Sequence, residues 1–289
     1  MSSWFKNKEL KKRIIDYNPD LVISTHYFCS TIISNFKKKK KINSKLITIV
    51  TDYEAHEFWL ENEKQEDYLI LGNSIEKKEL VKKGFSKNKI QDIGIPLSKD
   101  FNPNTYNKNK TLADYKLNNK LRTLVFFCSR GNITTSYVKE LVKNKLDYNI
   151  IIVTGNNSKL KNKITKIKNE YKISNAKILG YVNNVPELLN IADLVITKPG
   201  GATVTECLYF DVPMLFVGKH SGQEKANCKY LEKQKCAIKV QNKKKLLKEI
   251  DGLINNEKRL LKFKNNISKI SKNDAMEKLY SLALELMEE

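Results

Sequence analysis

The stretch VITKPGGATVTECLYF, residues 195–210, decides how this chain folds. The apolar run LVIT before it has strand length and ends at Lys198, where Pro199, Gly200 and Gly201 break it. Val204, Cys207 and Leu208 then fall at i, i+3 and i+4, the spacing of a helix face that packs inward. The glycines therefore sit on a turn from strand to helix. Such a turn leaves backbone N–H groups free at a helix N-terminus, a natural seat for phosphate. Glu206 lies in the first turns of that helix, near whatever occupies the seat.

The same alternation runs outward in both directions. Helical spacing over 6–17 precedes a strand at 20–25, and a helix near 27–37 precedes strands at 45–52, 68–72 and 89–96. Ser74 is expected to cap the helix after the third of these, and Gly84 to end it. Further strands are expected at 121–128, 148–155, 176–182, 193–198, 212–218 and 236–240, with helices between them and at the C-terminus. Strands alternating with helices mean parallel sheets covered on both faces. Two such series predict two α/β lobes: residues 1–105, an Asn-rich linker over 106–120, a second lobe over 121–268, and a C-terminal helix over 269–289. Ligands in such folds sit at the carboxyl ends of strands, which is where the 199–201 turn falls.

Composition narrows the classes. The 289 residues are 40% hydrophobic and 29% charged, a globular balance. No apolar run approaches a membrane span, and the first residues lack a signal-peptide core, so the expected location is the cytoplasm. Five scattered cysteines and three histidines form neither a disulfide framework nor a zinc pattern, and no metal is expected. The net charge of +21 favours polyanions. Its densest cluster, FKKKKK at 36–41, reads either as a solvated loop or as contact with an anionic membrane surface. Without a helix-turn-helix or an aromatic-interleaved basic motif, no nucleic acid is expected.

Three more stretches gather near the glycine turn. FFCSRGNI (126–133) places Ser129, Arg130 and Gly131 after a strand, positioned to contact an anion. ILGYVNNVPELL (178–189) ends a strand and starts a helix at Pro186. GKHSGQEKANC (218–228) places Gln223 and Glu224 where amide and carboxylate can bond sugar hydroxyls.

In this order and spacing, GYVNNVPELL, TKPGGATVTE, VPMLF and GQEKANCKYLE resemble the donor lobe of GT-B glycosyltransferases. The resemblance is nearest to the diacylglycerol group, the processive diacylglycerol glucosyltransferases and monogalactosyldiacylglycerol synthases. NPDLVIST, TIVTDYEAHEFW, YLILGNSIEKKELVKKGF and KIQDIGIPLSKDF resemble that group's acceptor lobe. The resemblance implies two Rossmann-like lobes, with parallel sheets flanked by helices. It implies hexose transfer from UDP-glucose or UDP-galactose to diacylglycerol, peripherally on the inner face of the cell membrane, with no cofactor beyond the donor substrate. Gly200, Gly201, Ala202 and Thr203 would hold the diphosphate, and backbone at Tyr181 and Val182 would receive the uracil. Glu206 would accept from the ribose, and Gln223 and Glu224 would read the sugar. Ser129, Arg130 and Gly131 would line the cleft beside the phosphates. The resemblance implies that Asp52, His56 and Trp59 form the acceptor side, with Trp59 in lipid or lipid-surface contact; on the residues alone, a packed aromatic beside a satisfied histidine is the better reading.

The pattern departs from the family at the start. The family's first strand and the Gly-rich loop that carries its catalytic histidine have no counterpart here, and no glycine precedes Gly72. The first lobe is accordingly expected to be incomplete, and no catalytic residue is assigned. An N-acetylglucosaminyltransferase of peptidoglycan lipid synthesis, an epimerase of UDP-N-acetylglucosamine, and a non-catalytic UDP-sugar-binding module needing a partner chain remain alternatives.

Overall fold

In the computed structural model, which describes residues 8–128, 133–144 and 147–288, all ten expected strands form on their apolar runs. The chain divides into two units. One takes the chain up to Leu97 and again from Lys272; the other is Ser98–Ser271.

In the first unit α1 (Lys8–Tyr17) precedes β1 (Leu21–Ser24), followed by α2 (Tyr27–Lys38), β2 (Lys45–Ile49), α3 (Glu57–Leu60), β3 (Tyr68–Ile70), α4 (Ser74–Lys82) and β4 (Ile90–Gln91). The strands pair in parallel in the order β1-β2-β3-β4. Parallel neighbours need a crossover, which is why a helix or a long loop separates each pair. Leu46, Ile47, Thr48 and Ile49 of β2 are all buried, the continuous run of a strand covered on both faces rather than an alternating one. On one side α2 supplies Ile32, Ile33 and Phe36 against Leu46. On the other, Leu279 and Leu286 pack with Ile47, Ile49 and Ile70. Those leucines come from α13 (Ala275–Glu288). The C-terminal helix, expected as a separate element, thus completes the core of the first unit.

Two local expectations change. Asn73, not Ser74, caps α4: its Oδ1 accepts from Ile75 N at 3.0 Å and Glu76 N at 2.9 Å, and Ser74 is the first helical residue. An extended Asn73 brings its short carbonyl onto the two orphan donors, which Ser74 has already passed. Gly84 does end that helix, at φ +95°.

A carboxyl is also buried here. Glu66, 2% exposed, lies just before β3, with its Oε1 2.8 Å from Thr48 Oγ1, which is itself 2.9 Å from Ser30 Oγ. Burial pushes the Glu66 carboxyl up to about 7.

The second unit opens with a 3-10 turn at Pro103–Thr105 and α5 (Lys108–Asp114). The stretch 106–120 is therefore not an open linker. Asn107 caps α5, Leu112 is buried, the Tyr115 hydroxyl accepts from Asn184 at 2.9 Å, and the Tyr106 carbonyl accepts from Asn190 at 3.2 Å. Its Asn-rich composition hid a capped helix with one core leucine.

The sheet of this unit comprises β5 (Thr123–Phe127), β6 (Asn149–Val153), β7 (Ala176–Leu179), β8 (Leu194–Thr197), β9 (Met214–Phe216) and β10 (Ala237–Lys239). Helices α6 (Ile133–Lys143), α7 (Ser158–Glu170), α8 (Val185–Ile191), α9 (Gly201–Tyr209) and α10 (Gly222–Lys233) cross between them; α11 (Lys243–Ile254) and α12 (Glu257–Ile270) follow. All pairs are parallel, in the order β10-β9-β8-β5-β6-β7. The first strand in the chain is central, and the winding reverses between β5 and β8. That is the doubly wound order, and its ligand crevice opens outside the carboxyl ends of those two strands. Asp193 fixes this pair from its other end, accepting from Thr123 N at 2.8 Å and from Arg122 at 3.1 Å.

Candidate functional site

The switch point of the second sheet coincides with the Pro199-Gly200-Gly201 turn that follows β8. Gly200 is the N-cap of α9 and brings no side chain to it; the first bond of the helix runs from Val204 N to Gly200 O, 3.0 Å. By helix geometry the N–H groups of Gly201, Ala202 and Thr203 have no acceptor inside the helix. They point outward together at the positive end of the helix dipole, the arrangement that holds a diphosphate. Ala202 is exposed and Thr203 half-buried, so the seat is open.

Glu206 stands one turn further along the same helix, half-buried. It has no hydrogen-bond or ion-pair partner among the described residues. Burial alone pushes its carboxyl up to about 7. A half-buried carboxylate with no partner among the described residues, beside an anion seat, is suited to accept from ligand hydroxyls.

Helix α10 closes the other side. Glu224 pairs with Lys198, Nζ to Oε1 at 2.5 Å, and its second oxygen lies 3.9 Å from His220 Nδ1. Gln223 is exposed and free to meet a ligand. Tyr181 and Val182 follow β7, the ring of Tyr181 being 68% exposed. Gly200, Gly201, Ala202, Thr203, Glu206 and Glu224 are thus brought to the carboxyl ends of β8 and β9. Ser129, Arg130 and Gly131 lie outside the described residues.

Sequence reading missed Asn227. It is wholly buried on α10, and its Nδ2 donates to Pro199 O at 3.0 Å, tying that helix to the glycine turn. Nothing in the pattern GQEKANC sets this amide apart from a surface one. Replacing Asn227 with Leu leaves the Pro199 carbonyl unpaired, and we expect a loss of about 1–2 kcal/mol in stability. Thermal unfolding monitored by circular dichroism checks it.

In the first unit, the carboxyl ends of β1 and β2 carry an aromatic cluster. Tyr27 stacks on Phe58 at 5.4 Å between centroids and meets His56 and Trp59 edge-on at 5.2 and 5.8 Å. His56 is the N-cap of α3. Burial lowers its imidazole below the ordinary range, with Asp52 pulling upward and His26 pushing down. His26 caps α2, its Nδ1 accepting from Phe28 N at 3.2 Å. The loop that carries Asp52 and His56 is pinned by Asn73, which donates to Tyr53 O at 2.8 Å, and by Glu76, which accepts from Ala55 N at 3.1 Å.

Trp59 does not reach the surface. It is 2% exposed and packs with Val50, Leu69, Leu71, Leu80 and Ile90. Its neighbour Phe58 turns outward instead, 55% exposed, because a short helix puts adjacent side chains on different faces. Beside the cluster an apolar groove of about 1320 Å³ runs along α1, β1 and α2, lined by Ile14, Tyr17, Val22, Phe28, Ile32 and Ile33 among others.

Comparison with known families agrees with the geometry. The glycosyltransferase family 28 C-terminal domain matches residues 132–283, more than half of the chain. The chain belongs to that family. It is a glycosyltransferase of two parallel-sheet lobes. The monogalactosyldiacylglycerol (MGDG) synthase family matches residues 1–97. A processive diacylglycerol beta-glucosyltransferase of Bacillus licheniformis is 27% identical over 285 residues, 98% of this chain and 73% of the relative. One from Bacillus pumilus is 28% identical over 267 residues, 91% of this chain and 68% of the relative. Among solved structures, MurG of Acinetobacter baumannii matches with a TM-score of 0.68 at 12% identity, covering 94% of this chain and 75% of that one. The UDP-GlcNAc 2-epimerase of Neisseria meningitidis bound to UDP-GlcNAc matches with a TM-score of 0.67 at 13% identity, covering 96% and 79%. These two share the fold of this family member.

Proposed function

We propose that the chain transfers a hexose from a UDP-sugar to diacylglycerol at a membrane surface. The observation that carries the reading is the bare N-terminus of α9 at the switch point of a doubly wound sheet, with the carboxyl of Glu206, unpartnered among the described residues, one turn along the helix. The helix start takes the diphosphate. Glu206 accepts from the ribose, and Gln223 and Glu224 meet the hexose. The acceptor hydroxyl attacks the anomeric carbon and releases its proton to water, the bond from that carbon to the diphosphate oxygen breaks, and the helix N-terminus stabilises the charge left on the nucleotide.

Two further points support a lipid acceptor. The relatives whose length the chain largely covers are named for diacylglycerol, and the first unit carries an apolar groove beside an aromatic cluster. The +21 charge supports attraction to anionic lipid. No described helix is long and apolar enough to cross a membrane.

Calorimetric titration with UDP tests the donor site. Glu206→Ala is expected to weaken binding about tenfold, the value of one charge-assisted hydrogen bond. The sign of a pH effect follows from the raised carboxyl. Only the ionised form offers both oxygens to the ribose, so affinity for UDP-glucose, which does not itself titrate near neutrality, is expected to rise from pH 5.5 and level off above the Glu206 value of about 7. A folded protein that binds no UDP overturns the reading. Product analysis with diacylglycerol vesicles and each UDP-hexose then identifies the sugar.

A further inference from the structure

Lys198 and Glu224 hold each other at the mouth of the donor site, and that pairing is a poor resting place for either. Lys198 directly follows β8, two residues before the cap of α9. A side chain on Gly200 would begin 3.9 Å from the Lys198 Cε, so the lysine stem runs alongside the glycine turn. Its ammonium is nevertheless on Glu224, the carboxylate placed to meet the sugar. Both partners keep solvent contact, at 48% and 30% side-chain exposure, so the pair is weakly held.

A second feature points the same way. The His220 side chain is 1% exposed, and neither ring nitrogen has a hydrogen-bond partner among the described residues. Burial lowers its imidazole, with Glu224 and Glu232 opposing and Lys239 and Lys198 adding to the fall. A buried imidazole without partners is costly unless some state of the protein uses it. Its Nδ1 lies 3.9 Å from the second oxygen of Glu224.

We propose that Lys198 is the side chain that takes the charge of the nucleoside diphosphate, leaving Glu224 to do so. Arrival of the two phosphates at the start of α9 offers the ammonium a stronger partner on the far side of the glycine turn. Glu224 then loses its cation, His220 closes the short gap to its free side, and the carboxylate becomes available to the sugar hydroxyls. Diphosphate capture and sugar reading are thereby coupled through one ion pair. The inference rests on the donor-site reading above and assigns within it the group that neutralises the leaving nucleotide.

The coupling makes predictions of opposite sign. Titration calorimetry compares uridine, UDP and UDP-glucose on the full chain and its variants. Lys198→Met is expected to weaken UDP about tenfold or more and leave uridine unchanged, which also shows that the variant is folded; Lys198→Arg restores most of the loss. Glu224→Gln removes the competitor for the ammonium and is expected to tighten UDP severalfold, while reducing the extra affinity of UDP-glucose over UDP. In the double variant the tightening disappears, because no ammonium remains to be released. A merely structural pair would weaken UDP on loss of either partner. Unchanged UDP affinity in Lys198→Met, or weakened UDP affinity in Glu224→Gln, overturns the coupling and leaves the donor site standing. Failure of the unaltered, folded chain to bind uridine or UDP overturns the donor site and the coupling with it.

Discussion

Ala202→Glu is expected to reduce UDP affinity more than a hundredfold while leaving the fold intact or slightly stabilised. Ala202 is the second residue of α9 and is exposed, so a longer side chain meets no packed neighbour. A carboxylate in a first helical turn interacts favourably with the dipole, by about 0.3–1 kcal/mol. The same carboxylate would occupy the phosphate seat and repel the diphosphate, and like charges within a few ångströms in a partly dry site cost several kcal/mol. Effects of opposite sign on stability and binding separate this outcome from general damage. Thermal unfolding and UDP calorimetry on one sample read both. A variant that kept UDP affinity would place the ligand elsewhere.

The second large effect concerns Glu66. Its folded value of about 7 lies above the ordinary carboxyl value of 4.5 because it is buried. The protonated form is therefore the one the fold prefers. Stability is fully expressed below the unfolded value and is lost as pH rises through the folded one. The window runs from about pH 4.5 to about 7, and the full difference is on the order of 3 kcal/mol. Glu66→Gln keeps a polar group beside Thr48 that cannot ionise, so it is expected to be more stable than the parent at pH 8 and similar near pH 4.5. Trp59 lies in the core of the same unit, so urea unfolding followed by its emission in a Trp4→Phe background reports the change. A parent protein whose first unit is equally stable at both values would mean that Glu66 is not held protonated.

Most of the architecture was legible because burial on both faces writes itself as continuous apolar runs. KLITIVTD and NIIIV read as covered strands and form them, DLVIST forms the edge strand whose Ile23 is 45% exposed, and the alternation of such runs with helices fixed the parallel sheets. The glycine turn was legible for a different reason: helix spacing resumes three residues after Gly201, which leaves no room for anything but a strand-to-helix corner. What stayed hidden depends on partners distant in the chain. Asn227 matters because it meets a carbonyl 28 residues away, and nothing local distinguishes it from a surface amide. Glu66 stands among other charges in ENEKQED, and only its contact with Thr48, 18 residues away, marks it as buried. Phe58 and Trp59 are adjacent and equally aromatic, and only the direction of a four-residue helix sends one inward and the other out. The helix at 108–114 was masked by asparagines that read as loop but serve as its cap and its hydrogen-bonding neighbours.

Helix α13 belongs to the unit that begins the chain, yet it is made after all of Ser98–Ser271. The order of synthesis is therefore not the order of completion. While the ribosome builds the second unit, Ile47, Ile49 and Ile70 have no Leu279 or Leu286 to cover them. The second unit, one uninterrupted segment, can finish first, and the opening sheet must wait with an apolar face exposed. That interval is when the nascent chain is most open to aggregation and to chaperone capture, and shortening or softening the α13 contacts would lengthen it.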